Sequence, residues 1–300
     1  MLELQGVMPA LFTNYDSSGE VTTDGLEELL SFYIDRGCSG FFVGGSTGEG
    51  LLQNVEERAR FTEAVAKTVA GEVPVIAHVG TMATADACEL AKRAADAGAD
   101  AAGSVLPIYY PMDPDSTADY YRAIGEASDL PLLIYYLANT ANQPLDPDSF
   151  AEKLASIPRV AAMKYTSAEL ETFRQIIDLT DHRLSMIMGC DQMLLPALTL
   201  GADGAIGSTY NFMPEIFVGV YEKYLAGDLQ KAQELMYRGF AVIHMMHRKY
   251  PMLAACREVL RMRGFDTGQP RRPLPSLTND ECKALRQDLE ELEFFTDPIR

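Results

Sequence analysis

The sequence predicts an α/β protein built as a (β/α)8 barrel of the TIM-barrel class, followed by a C-terminal extension of about three helices. Three observations carry this. Eight short apolar runs recur through the first two thirds of the chain, each nearly continuous in hydrophobicity, as expected of strands covered on both faces. Each run is followed by a stretch whose apolar residues are spaced by three and four, the helical period. No long linker interrupts the alternation, which requires a parallel sheet. A doubly wound open sheet would also satisfy such a repeat, but the count of eight favours closure, and 300 residues suit one barrel.

In chain order the strand-like runs are residues 6–12, 40–44, 73–79, 101–106, 130–136, 159–165, 184–190 and 204–208. The helical stretches between and after them are 25–36, 55–69, 85–97, 118–126, 149–154, 170–179, 194–200 and 215–225. From Gly227 the strand-like runs stop. Residues 228–249, 252–264 and 279–292 read as helices, the last two joined by a turn-rich segment over 267–275. The expected organisation is a catalytic barrel over 1–226 and a helical extension over 227–300, packed on the barrel or on a neighbouring subunit. Glu281, Asp288, Glu290, Glu291 and Glu293 read as the solvated face of the last helix and its end.

Composition excludes several functions. There are 43 acidic against 25 basic residues, for a formal charge of -18, a field that repels phosphate backbones and anionic membranes. No stretch nears the roughly 18 uninterrupted apolar residues of a membrane span. The first residues have neither the basic nor the apolar region of a signal peptide, so a soluble cytoplasmic protein is expected. Five widely spaced cysteines without a C-x-x-C pair fit free thiols. His244 and His247 lack a third ligand at suitable spacing, and no Walker A lysine, H-E-x-x-H or G-x-G-x-x-G after a strand occurs, so neither metal nor organic cofactor is expected.

In a barrel of this class the chemistry sits where strands end. Of eight lysines, only Lys164 ends an apolar run, Val160-Ala161-Ala162-Met163-Lys164. Burying an ammonium is costly, and the usual outcome is a depressed pKa and a nucleophilic amine able to form a Schiff base with a ketone. A lysine snorkelling from a strand end to water would read the same way. Tyr135 ends the preceding run and could shuttle protons, or merely pack; Tyr109 and Tyr110 carry the same ambiguity.

Gly44-Gly45-Ser46-Thr47-Gly48-Glu49-Gly50 follows the second run. Its backbone N–H groups can approach a carboxylate closely without net positive charge. The same string matches G-x-S-x-G, which would make Ser46 a hydrolase nucleophile. That elbow should enter its helix at once, whereas Asn54 and Glu57 place a cap several residues downstream; His182, His244 and His247 are poorly placed as its base. Gly189-Cys190-Asp191-Gln192 and the glycine-rich stretch over 201–211 fall at the last two strand ends. They offer room and polar groups for a hydroxylated ligand, or simply close tight turns.

Together these stretches resemble the N-acetylneuraminate lyase and dihydrodipicolinate synthase family of pyruvate-dependent class I aldolases. The resemblance runs from Gly6 to about Pro275. It rests on G-G-S-T-G-E at 44–49, P-x-Y-Y at 107–110, Tyr135, K-x-T at 164–166 and G-A-D-G-A-I-G-S-T-Y-N at 201–211. It implies that Lys164 forms the Schiff base, that Tyr135 shuttles the proton, and that Ser46 and Thr47 hold the carboxylate and relay protons. Tyr109 matches a tyrosine lent to a neighbouring subunit's site, which implies a homotetramer. Gly189, Asp191, Gly207 and Ser208 match sugar-contacting positions of the sialic acid lyases. Gly45, Thr166 and Gln192 complete the candidate substrate-binding set.

G-S-T-Y-N over 207–211 points to the sialic acid lyases, hence to reversible cleavage of N-acetylneuraminate into N-acetylmannosamine and pyruvate. Thr140 stands where the synthases usually carry a carboxylate-gripping arginine. Two departures, Tyr136-Leu137-Ala138 for the family's Y-N-x-P and Gln192 for a glutamate, make an aldolase of another 2-oxo sugar acid the alternative. A serine hydrolase at Ser46 and a non-catalytic binding barrel are the readings from other classes.

Overall fold

The computed structural model describes residues 4–140 and 145–295. Eight parallel strands carry the sheet: β1 (Gly6–Pro9), β2 (Phe41–Val43), β3 (Val75–His78), β4 (Ala101–Val105), β5 (Leu132–Leu137), β6 (Val160–Thr166), β7 (Ser185–Met188) and β8 (Gly204–Gly207). They pair in the order β1-β8-β7-β6-β5-β4-β3-β2. A bridge between Ala10 and Phe42, with the Leu11 N–H donating to the Phe42 carbonyl at 2.9 Å, closes the ring. The barrel, not the open sheet, is the architecture.

Helices α1 (Leu26–Asp35), α2 (Val55–Val69), α3 (Thr84–Asp96), α4 (Pro114–Ala127), α5 (Pro147–Ser149), α6 (Leu170–Leu179), α7 (Leu194–Thr199) and α8 (Pro214–Leu225) follow the strands in turn. The expected boundaries agree to within a few residues, except around 149–154. There α5 makes one turn, capped by Asp146, and continues as a wider π turn over Phe150–Leu154. The Ala155 N–H reaches back five residues to the Phe150 carbonyl.

Alternation along each strand divides the core in two. Met8, Phe42, Ile76, Ala101, Leu133, Ala162, Ile187 and Ile206 fill the barrel's interior, with Tyr135 at its upper end. The opposite parity meets the helices in a larger layer that includes Phe41, Tyr121, Tyr165 and Phe173. Lys164 lies two residues beyond Ala162 and so shares the inward parity of β6.

The extension forms α9 (Leu229–Lys249), α10 (Met252–Met262) and α11 (Asn279–Glu291). Half-buried ion pairs fasten it. Arg263 grips both oxygens of Glu215 at 2.5 and 3.0 Å, and Arg271 does the same to Glu57 at 2.6 and 3.0 Å. Asp288, expected on the solvated face of α11, turns inward instead: it accepts from the Tyr250 hydroxyl at 2.6 Å and the Lys249 ammonium at 2.5 Å, at the end of α9. Among the described residues no helix is long and apolar enough to cross a membrane.

Burial raises the Glu215 carboxyl, but the hydrogen bond and charge of Arg263 outweigh it and hold the group below its ordinary 4.5. A carboxyl that titrates lower in the folded state contributes stability above its unfolded pKa and loses it as pH falls through the folded value. Glu215→Gln is therefore expected to cost about 1–3 kcal/mol at pH 7, the worth of a charge-assisted hydrogen bond. The deficit should shrink below pH 4. Urea unfolding of both proteins at pH 7 and pH 3.5 measures it, and an equal deficit at the two values would refute the assignment.

Candidate active site

Lys164 stands near the end of β6, in register with Tyr135 on β5 and Ile187 on β7. Both candidate groups are enclosed, Lys164 being 5% exposed and Tyr135 4%. The Lys164 Nζ lies 4.3 Å from the centroid of the Tyr135 ring and 4.5 Å from that of Phe42. The two rings meet edge to face at 5.8 Å. No carboxylate among the described residues forms an ion pair with the amine, so two aromatic faces provide its nearest electrostatic support. The snorkelling alternative fails because the side chain points inward.

The loop after β2 forms one wall. Gly44 takes φ 70°, open to glycine at little cost. A Cβ on Gly45 would sit 2.5 Å from the Phe42 ring, so only glycine lets this strand meet Phe42 and the loop together. Thr47 is buried and its Oγ1 lies 2.6 Å from the Ser208 Oγ after β8. Thr13 Oγ1 donates to the Gly48 carbonyl at 2.8 Å. The N–H groups of Ser46 and Thr47 donate to no acceptor among the described residues, which leaves them available to an anion. Glu49, held at φ 58°, accepts from Arg257 of α10 at 2.6 Å, tying the loop to the extension.

The side chain of Ser46 is exposed. Its loop passes through a 3-10 turn over Gly50–Leu52 before α2 begins at Val55 behind the Asn54–Glu57 capping box. A nucleophile elbow is thus absent. His182 is exposed in the connection between α6 and β7, at the far end of the barrel, and His244 and His247 are exposed on α9. Among the described residues no group of three His, Cys, Asp or Glu side chains is placed to hold a metal ion.

The opposite wall comes from β6, β7 and β8. Asp191 is buried; its Oδ2 accepts from the Thr209 N–H at 2.8 Å and the Thr209 Oγ1 at 2.6 Å. Burial pushes its carboxyl up, opposed by the Thr209 bonds and the Lys164 charge. A Cβ at Gly207 would fall 2.2 Å from the Asp191 Oδ1, and one at Gly189 would fall 1.9 Å from the Thr166 Oγ1 and 3.2 Å from the Lys164 Cε. These glycines are the space in which Lys164, Thr166 and Asp191 coexist. Thr166 Oγ1 is buried with no hydrogen-bond partner among the described residues, an unmet capacity facing the amine's own stem. Gln192 is half-buried beside Asp191, and burial pushes the neighbouring Cys190 thiol up to about 11.

Tyr109 does not join this group within the chain. It is 76% exposed, its ring edge-on to Tyr110 at 5.0 Å. Thr140, at the position where an arginine would mark a synthase, donates to the Leu137 carbonyl at 3.1 Å and brings no charge. Tyr136, one of the departures from the family pattern, packs at a tilt of 30° against Tyr165, 5.3 Å between centroids.

Three residues at the site carry no motif: Phe42, His78 and Arg58. The His78 ring lies 5.7 Å from Phe42 and 6.1 Å from Tyr135. Its Nε2 accepts from the Val105 N–H at 3.2 Å, which places its proton on Nδ1, 3.0 Å from the Gly44 carbonyl. Burial and the Arg58 charge keep this imidazole neutral.

A closed barrel with a buried amine beside a glycine-rich loop is the setting, and comparison with known proteins supplies the class: a lyase of the dihydrodipicolinate synthase and N-acetylneuraminate lyase type. The model of the dihydrodipicolinate synthetase family matches residues 3–292. This chain belongs to that family. It is similar to an uncharacterized DapA-like lyase of Halobacterium salinarum, 34% identical over 294 residues, covering 97% of this chain and 95% of that one. It is also similar to an N-acetylneuraminate lyase of Salmonella paratyphi B, 39% identical over 233 residues, covering 77% and 78% of the two chains. Among solved structures, the sialic acid aldolase of Ruminococcus gnavus superposes with a TM-score of 0.92 at 29% identity, covering 97% of each chain.

Proposed function

We propose that the protein is a class I aldolase that cleaves N-acetylneuraminate reversibly to N-acetylmannosamine and pyruvate. The observation that carries this reading is the enclosure of the Lys164 amine against Tyr135 and Phe42, opposite a loop with unengaged N–H groups. The Lys164 Nζ adds to the ketone of the open-chain sugar acid and water leaves, giving an iminium. Ser46 and Thr47 receive the adjacent carboxylate. Tyr135, having given its own proton to the water that leaves as the iminium forms, takes the proton of the hydroxyl on the bond-breaking carbon; the carbon–carbon electron pair flows into the iminium, leaving an enamine and releasing the aldehyde. Protonation and hydrolysis of the enamine return pyruvate and the free amine, so the cycle needs no metal or organic cofactor. The aromatic faces beside Nζ favour the cationic iminium that serves as electron sink.

Asp191, Gly189, Gly207, Ser208 and Thr166 form the polar wall against which the hydroxylated chain lies. Gln192 lacks the charge of the glutamate that sialic acid lyases often carry there. This favours a second reading, in which the same chemistry acts on a different 2-oxo sugar acid. Tyr109, exposed in one chain, reaches the site of a neighbouring copy in the homotetramer that the family resemblance implies.

The test is reduction with borohydride in the presence of pyruvate, followed by peptide mass mapping. The expected product is a single adduct on the peptide containing Lys164; an unmodified peptide there would end the aldolase reading. Assaying condensation of pyruvate with a panel of sugar aldehydes separates the two substrate readings. A fluorophosphonate should leave Ser46 unlabelled.

A further inference from the structure

Arg58 is 3% exposed, yet among the described residues no carboxylate pairs with it, in a chain of 43 acidic side chains. Its guanidinium is satisfied only by neutral groups. Nη1 donates to the Gly80 carbonyl at 2.9 Å, Nη2 donates to the His78 carbonyl at 2.5 Å, and Nη2 lies 3.0 Å from the His78 Nδ1. Nε has no partner, and it stands 3.9 Å from where a Cβ on Gly44 would be. Arg58 therefore lies directly beneath the loop whose N–H groups are unengaged. His78 joins the two: its Nδ1–H donates to the Gly44 carbonyl at 3.0 Å, and its own carbonyl accepts from the Arg58 Nη2 at 2.5 Å.

A buried charge without a partner is expensive, and burial shows its strain in an Arg58 pKa lowered to about 10. The rest of that face of α2 is covered by Ala59, Phe61, Thr62, Val65 and Val69, none of them charged. The cost is offset if an anion stands above the loop during the reaction. The protein's overall field opposes such an anion, so a local cation has work to do there. His78, kept neutral, cannot supply that charge itself. It holds Gly44 in place and separates the guanidinium from the ligand, so that no arginine–substrate salt bridge has to be broken at each turnover.

We propose that Arg58 is a positioning residue that supplies, through His78 and the Gly44 turn, the positive potential that selects a carboxylate at the Ser46–Thr47 amides. This rests on the reading that the loop receives the carboxylate of a 2-oxo acid.

The test compares two ketones in the borohydride assay: pyruvate, which has the carboxylate, and acetone, which lacks it. Half-saturating concentrations give a selectivity ratio for the wild type and for Arg58→Gln, Arg58→Met and Arg58→Lys. Loss of the charge in Arg58→Gln and Arg58→Met should lower the pyruvate-to-acetone selectivity roughly 10- to 100-fold, the worth of one partly screened charge a few ångströms below an anion. Arg58→Lys, which keeps the charge, should recover most of it. A merely structural role would weaken both ketones together and leave the ratio unmoved, and that result overturns the proposal. So does Arg58→Lys no better than Arg58→Gln, a comparison that holds if the methionine variant does not fold. If the wild type itself traps no pyruvate, the aldolase reading falls first; if it does and the ratios are equal, only the role of Arg58 falls.

Discussion

Lys164→Met is expected to lose all borohydride-trappable pyruvate and to drop turnover by roughly 10^4-fold or more, the scale on which removal of a covalent nucleophile usually registers. Methionine preserves the unbranched stem, so Phe42 and Tyr135 keep their packing and no cavity confuses the result. The variant should also unfold at the same or a higher temperature than the wild type. The amine is buried without an ion-pair partner among the described residues, and its removal relieves the cost of keeping a polar group out of water. Loss of activity together with undiminished stability distinguishes a reacting group from a structural one; a surviving adduct elsewhere on the chain would overturn the assignment. The same variant probes Tyr109. Mixed with Tyr109→Phe after dissociation and reassembly, it should recover part of the activity, because a hybrid site then combines one chain's amine with its neighbour's phenol. No recovery would confine Tyr109 to its own exposed surface.

Much of the geometry of this candidate site is legible in the sequence. Lys164 stood out because an apolar run of strand length ended in a charge, and parity alone places it beside Ala162 facing the barrel's interior. The glycines at 45, 189 and 207 were legible as room, though not as the specific room required by Phe42, Thr166 and Asp191. What stayed hidden depends on contacts between elements. His78 sits inside the run over 73–79 and reads as part of a strand; its inward parity with Ile76 was the signal, since a histidine on that face must find polar partners. Arg58 belongs to the string E-E-R-A-R, which reads as a solvated helix face. Yet it is three residues from Phe61 and four from Thr62, on the stripe that α2 buries. Asp288 misled in the same way, because nothing local to α11 says that Lys249 and Tyr250 stand opposite.

Tyr135→Phe separates binding from chemistry. Phenylalanine retains the ring that lies 4.3 Å from Nζ and meets Phe42 edge-on, so the amine's surroundings and the carboxylate loop persist. Only the hydroxyl is lost, and with it the group proposed to carry the proton as the carbon–carbon bond breaks. Turnover should fall by roughly two to four orders of magnitude, the usual worth of a placed acid or base. Trapping of pyruvate at equilibrium should fall far less, since the adduct still forms given time. A loss under tenfold would mean that another group moves the proton, and the Thr47–Ser208 hydroxyl pair at 2.6 Å is the nearest relay in the loop. An equal loss in trapping and turnover would instead mean that the phenol matters for forming the iminium. The ratio of the two effects, more than either alone, locates Tyr135 in the cycle.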